Sequence, residues 1–276
     1  MPVKQAGESE MAMASVTWSQ WIQIIVLAAM MVPGVGRWAY GSELTPVSGS
    51  ILELDRADGW NLGARIQLDR RKLLLPENAD LDIEALHGVV RLGAQILPFL
   101  HLWTEAGTVR ADRVDADGSA GLVWAVGGGA TLFQYHIRRS PVFGGLETIG
   151  IALEGSYRVA RSSLPHGPDS EAADTDEDLD LTWKDTRLGP VFSYRLDRRA
   201  DVIWQGYEPT GYVLRAGPVY TRTTGTYGTE RIREDHAFGV LFGADVRFPS
   251  GWIGRLDWLQ FHPDDREVSL GIFRFF

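Results

Sequence analysis

Residues 266–276 read "REVSLGIFRFF", and within them Val268, Leu270 and Ile272 alternate with Glu267, Ser269 and Gly271. Alternation with a period of two marks a strand whose two faces meet different surroundings. The segment closes on Phe275 and Phe276 with no polar tail, whereas the ends of water-soluble domains tend to fray into polar residues. The same pattern recurs upstream. In "GVVRLGAQIL" (88–97) Val90, Leu92, Ala94 and Ile96 oppose Val89, Arg91, Gly93 and Gln95. In "WNLGARIQLD" (60–69) Trp60, Leu62, Ala64, Ile66 and Leu68 oppose Asn61, Gly63, Arg65, Gln67 and Asp69. In "AFGVLFGADVRF" (237–248) Phe238, Val240, Phe242, Ala244, Val246 and Phe248 oppose Gly239, Gly243, Asp245 and Arg247.

A soluble β-sandwich and a transmembrane barrel give the same alternation strand by strand, so spacing has to separate them. A tilted membrane strand needs about 9–11 residues against about 5–6 in globular sheets, and several segments here are long. Connections also alternate in length. Leu97-Pro98, "RSPVFGG" (139–145) and Pro249-Ser250-Gly251 are tight, while 73–82, 111–120, 162–180 and 223–235 read as long polar loops. Short turns on one rim and long loops on the other are the arrangement of a membrane barrel. The pattern predicts an all-β, antiparallel up-and-down transmembrane β-barrel with ten strands, at about 60–73, 86–97, 98–110, 121–137, 147–161, 180–196, 212–224, 236–248, 252–261 and 267–276. The stretch 197–211 contains "DVIWQGY", a further strand candidate, which leaves eight and twelve strands open beside ten.

Composition narrows the class. The 276 residues include 27 basic and 36 acidic ones, a formal charge of -9, which argues against a nucleic-acid surface. Absence of cysteine excludes disulfides, thiolate metal sites and a cysteine nucleophile. Met11 to Gly36 carries no charge, and "IIVLAAMMVPGVG" (24–36) has the length of a signal core, followed by the small residues of Ala39-Tyr40-Gly41. Residues 1–41 are expected to be a removed signal peptide, 42–59 a short periplasmic lead-in and 60–276 the barrel. A single membrane helix anchoring a soluble domain is the competing reading, but Pro33, Gly34 and Gly36 break the helix where a span would continue.

With this pattern in place, "SLGIFRFF" (269–276) resembles the C-terminal signal of bacterial outer-membrane β-barrel proteins, a terminal aromatic preceded by alternating apolar residues. The resemblance implies outer-membrane localisation, a lipid environment and recognition by the barrel-insertion machinery through Val268, Leu270, Ile272, Phe273 and Phe276. Counting from Phe276 places Arg274 where that signal has an aromatic; counting from Phe275 gives that place to Phe273. "RLGAQILPFLHLWTEAG" (91–107) is similar to the second hairpin of small outer-membrane barrels.

Residues opposite the apolar faces would line the lumen. They are Arg65, Arg91, Glu105, Glu154, Arg158, Arg187, Arg195, Arg215, Asp245, Arg247, Arg255, Asp257 and Glu267, with Asp69 beside them. Both signs are present, and charges in a confined interior pair because an unpaired one is costly. An arginine-lined narrow pore favouring anions is the sharper alternative. In "DSEAADTDEDLD" (169–180) the carboxylates alternate, yet the glycine and the distal glutamate of a calcium loop are missing. The six histidines show no metal-ligand spacing, and neither a metal nor a cofactor is expected. Asp115 and Asp117 together with Glu234 and His236 resemble the acidic pair and acid-histidine pair of the omptin proteases, where a histidine activates water; Glu234 stands where that family has aspartate. No G-x-S-x-G elbow is present for a serine hydrolase. Trp60, Trp103, Trp124, Trp252, Trp258, Tyr194, Tyr212, Phe261 and Phe276 are expected on outer faces or strand ends, as interface girdles require. The expected role is non-enzymatic, structural or surface-binding, with an extracellular ligand that the sequence does not name; a passive pore comes second and an omptin-like rim protease third.

Overall fold

A computed structural model describes residues 59–76, 80–97, 99–113, 117–137, 146–164, 179–197, 209–248, 251–263 and 265–276. The expected signal segment and all of the lead-in but Gly59 lie outside these residues. Eleven strands form one antiparallel sheet: β1 (Trp60–Leu74), β2 (Asp80–Leu97), β3 (Leu100–Arg113), β4 (Ser119–Ile137), β5 (Leu146–Leu164), β6 (Leu179–Asp197), β7 (Gly211–Tyr227), β8 (Glu230–Glu234), β9 (Phe238–Arg247), β10 (Trp252–His262) and β11 (Asp265–Phe275). β1 pairs with β11 from Asn61↔Phe275 to Arg70↔Arg266, so the sheet closes on itself. β8 and β9 lie in line along β7, interrupted at Asp235–Ala237. They count as one stave, and the barrel wall has ten.

Alternation sets the faces as the sequence predicts. Ile66, Leu270 and Phe238 point outward and are 61%, 63% and 70% exposed, whereas Gln67 and Glu267 point inward and are 1% and 5% exposed. Large apolar side chains outside and buried polar ones inside invert the order of a water-soluble protein.

The strands are longer than a bilayer needs. β4, β5 and β6 have 19 residues each, against the about 9–11 that cross at a tilt. The extra length lies at the end opposite the start of β1 and the end of β11, and there the two faces exchange character. On β2 the outward Leu86, Val90, Leu92 and Ile96 give way to Asp80, Asp82 and Glu84, while the inward His87 and Arg91 give way to Leu81, Ile83 and Ala85. This distal tier therefore has a water-facing outside and an apolar inside. Leu73, Ile83, Val109, Leu164, Leu181, Trp183 and Ile232 form one buried cluster within it.

The tier is also narrower. The β10–β11 hairpin ends at His262↔Asp265, and beyond it β8 reaches across to pair with β1 at Leu73↔Glu234 and Leu74↔Arg233. Ten staves surround the belt, but only β1 to β8 surround the distal tier. Gly228 takes a φ of 57° in the tight β7–β8 turn, a left-handed setting that a Cβ disfavours.

Three expected loops are corrected by these extensions. Half of 73–82 belongs to β1 and β2, half of 111–120 to β3 and β4, and most of 223–235 to β7 and β8. Their outward polar residues read as loop because, above the bilayer, the outer face of a strand meets water. Of 162–180, β5 takes the start and β6 the end; the acidic residues 169–178 lie outside the described residues.

Candidate functional site

The interior is built of ion clusters whose members come from strands far apart in sequence. Arg71, the second inward residue after Gln67, donates from Nε to Asp69 at 2.9 Å and from Nη1 to Asp185 at 3.2 Å and to Thr223 at 2.7 Å. Arg187 donates from Nη1 to Glu267 at 2.9 Å and stands 3.7 Å from Asp185. Arg158 donates to Gln67 at 2.9 Å and lies 3.9 Å from Glu267. Three guanidinium groups thus face the three carboxylates of Asp69, Asp185 and Glu267. A second cluster joins β7, β9 and β10: Arg215 reaches Asp245 at 3.0 Å and Asp257 at 2.6 Å, and Arg255 grips Asp245 with two bonds of 3.0 Å. Arg65 pairs with Glu105 at 2.6 Å, and Arg195 with Asp197 at 2.7 Å. Charges of both signs in such contact hold one another where isolated ones would cost several kcal/mol.

Aromatic faces complete this packing. The Arg91 guanidinium lies 4.4 Å from the Trp103 ring centroid and 5.5 Å from that of Phe273, and Arg255 lies 5.4 Å from Phe273. Arg71 stands 5.3 Å from Phe261. Trp103 and Phe261, expected near strand ends or outside, therefore face these inner cations, because their parity on β3 and β10 is that of Glu105 and Asp257. Above the clusters the apolar tier begins with His87 edge-on to Trp183, 6.2 Å between centroids. Below them a smaller apolar group, Val213 and Ile253 with Phe275, occupies the terminal end. A cavity of about 120 Å³ remains between, lined by Arg65, Arg91, Glu154, Arg187, Val219 and Leu259 among others.

Every charged residue expected in the lumen has inward parity, including Glu154 and Arg247. Sequence reasoning missed Arg71 and Asp185. They sit in the charged runs "DRRK" and "WKDTR", and their parity with Gln67 and Arg187 would have found them. In β11, Val268, Leu270, Ile272 and Phe276 point outward and Phe273 points inward. The register is the one counted from Phe276, so Phe273 is removed from the outward set. Arg274 shares the outer face and lies 5.6 Å from the Trp252 ring and 5.3 Å from that of Phe276.

The pairs on the distal rim have other partners. Asp117 meets Arg110 at 3.2 Å, Glu234 accepts from Thr221 at 2.8 Å, and Asp115 lies outside the described residues. His236 stands 3.1 Å from Asp265 through Nδ1 and stacks on His262 at 4.3 Å.

No protein-family model and no curated protein matches the sequence. Among solved structures, an outer membrane channel from Pseudomonas putida F1 is similar at 12% identity, covering 83% of this chain and 100% of its own, with a TM-score of 0.38. Neisserial surface protein A matches at 13% identity over 80% of this chain and 100% of its own, TM-score 0.33. The translocator domain of the autotransporter NalP from Neisseria meningitidis matches at 11% over 95% of this chain and 100% of its own, TM-score 0.36. A closed sheet satisfies every backbone group that lipid cannot. On its own closure, even stave number and apolar exterior, the chain is a transmembrane β-barrel of the bacterial outer-membrane type.

Proposed function

We propose that this barrel is closed to solutes and acts non-enzymatically, as a structural or surface-binding protein whose working surface is the distal tier. The even number of staves puts the start of β1 and the end of β11 at one end, which in this orientation faces the periplasm and leaves the distal tier outside the cell. The observation that carries the reading is the stacked filling of the interior: an apolar cluster across the distal tier above charge-balanced arginine-carboxylate clusters. An ion crossing this interior would have to separate the clusters and then enter the apolar layer. Among the described residues Glu234 accepts from Thr221 and His236 pairs with Asp265, partners other than one another, which supports a non-enzymatic rim.

Planar-bilayer recording on the folded protein tests this. The expected record shows no unitary conductance above the lipid leak. Reproducible anion-selective steps would overturn the closed reading and favour the arginine-lined pore.

A further inference from the structure

The outer surface of the distal tier is electrically lopsided. On the β1–β3 side the outward cations are neutralised locally: Arg70 by Glu84 at 3.6 Å, Lys72 by Asp80 at 2.6 Å, and Arg110 by Asp112 at 2.9 Å. On the β5–β8 side, Arg161, Lys184, Arg222, Arg231 and Arg233 are all exposed, and none has an ion-pair partner among the described residues.

Register brings three of them together. Thr224 on β7 lies opposite Lys184 on β6 and opposite Arg233 on β8, and Arg222 is the next outward residue on Thr224's own strand. Directly opposed Cβ atoms stand about 4.5–5.5 Å apart, and same-face neighbours along a strand about 7 Å. Three long cations thus converge around one hydroxyl, close enough to share a single phosphate. Like charges at such spacing destabilise a sheet when no anion answers them.

Height selects the anion. Arg161 follows the outward Val159 on β5, and Arg222 follows Tyr220 on β7. Tyr220 packs against Phe238 at 5.3 Å at the upper edge of the apolar belt. The cations begin where the lipid-facing side chains end, which is the level of the headgroups. Basic clusters at that level bind anionic headgroups, each cation contributing about a factor of five.

We infer that the outer face of β5–β8, centred on Lys184, Arg222 and Arg233 around Thr224, binds the phosphate groups of an outer-leaflet lipid. This rests on the proposed orientation, with the distal tier outside, and not on the closure of the lumen. The patch holds a phosphorylated lipid against the β5–β8 side of the barrel and leaves the β1–β3 side, whose cations are already neutralised, indifferent to it.

The full chain is folded into phosphatidylcholine vesicles containing either lipid A with both phosphates or the same lipid dephosphorylated, then extracted in nonionic detergent. Co-purifying lipid is measured by mass spectrometry, and the boiling-dependent gel shift confirms that each variant is folded. Wild type is expected to retain the phosphorylated form and not the other. Lys184→Gln with Arg222→Gln and Arg233→Gln should lower that affinity roughly a hundredfold, while Arg70→Gln with Lys72→Gln and Arg110→Gln leaves it unchanged. Equal retention of both lipids by wild type would overturn the inference. Undiminished binding by the first triple variant, or an equal loss in the second, would overturn it too. Conductance of the same preparations reports separately on the lumen, so one reading can fail without the other.

Discussion

At the scale of single residues the interior depends on Asp185. Its carboxylate accepts from Arg71 at 3.2 Å and from Thr223 at 2.8 Å, and it faces Arg158 at 4.0 Å and Arg187 at 3.7 Å. Removing one carboxylate would leave three guanidinium groups facing only Asp69 and Glu267. Asp185→Ala is therefore expected to destabilise the folded barrel by about 3–5 kcal/mol, the cost of stranding a buried charge. Urea unfolding in detergent micelles measures it, and a cost near that of an exposed pair would mean that water reaches the cluster. Phe273 is the other residue whose position matters. Both Arg91 and Arg255 lie over its ring, and that inward placement fixes the register of the final strand.

At the scale of elements, the β6–β7 ladder has one seam. Pairing stops after Leu188↔Tyr220 and resumes at Phe192↔Ala216. Midway between, Pro190 and Pro218 come opposite each other, and neither has an N–H to give. Their carbonyls lose ladder partners within the lipid-facing belt, where an unsatisfied backbone group costs several kcal/mol. Replacing both with valine restores two donors and gives up about 1 kcal/mol of unfolded-state restriction at each site. The double variant is expected to gain about 1–3 kcal/mol net in urea unfolding; a loss would show that the bilayer strands have relaxed around the prolines. The same two strands carry the distal cations Lys184 and Arg222.

Whole-molecule behaviour follows from the belt. Val90 is 56% exposed at mid-belt, opposite Ala64 and Ala106. Val90→Arg should cost about 2–4 kcal/mol in a bilayer and almost nothing if that face met water, so unfolding from vesicles separates the two environments. Unboiled protein should also migrate differently from boiled protein on a gel, since closure between β1 and β11 leaves no free sheet edge from which to unzip.

Much of this architecture was legible in the chain. Period-two runs such as 60–69 and 88–97 specify strands and their two faces, because side chains must alternate across a pleat. The inward parity of Arg65, Arg91 and Glu267 follows from the same rule. Parity alone, however, does not say which face is the apolar one at each height. In "LLLPENADLD" Asp80 and Asp82 point into water while Leu73 and Leu81 point into a core, so the stretch read as a loop.

Only the tertiary structure decided who meets whom. Arg71 meets partners 114 and 152 positions away, β8 leaves β9 to close the narrower tier against β1, and two prolines distant in sequence come face to face. Local pattern is set by the pleat, which every strand carries within itself. Partnership is set by the stagger of the closed sheet, a property of the whole ring that no single segment contains.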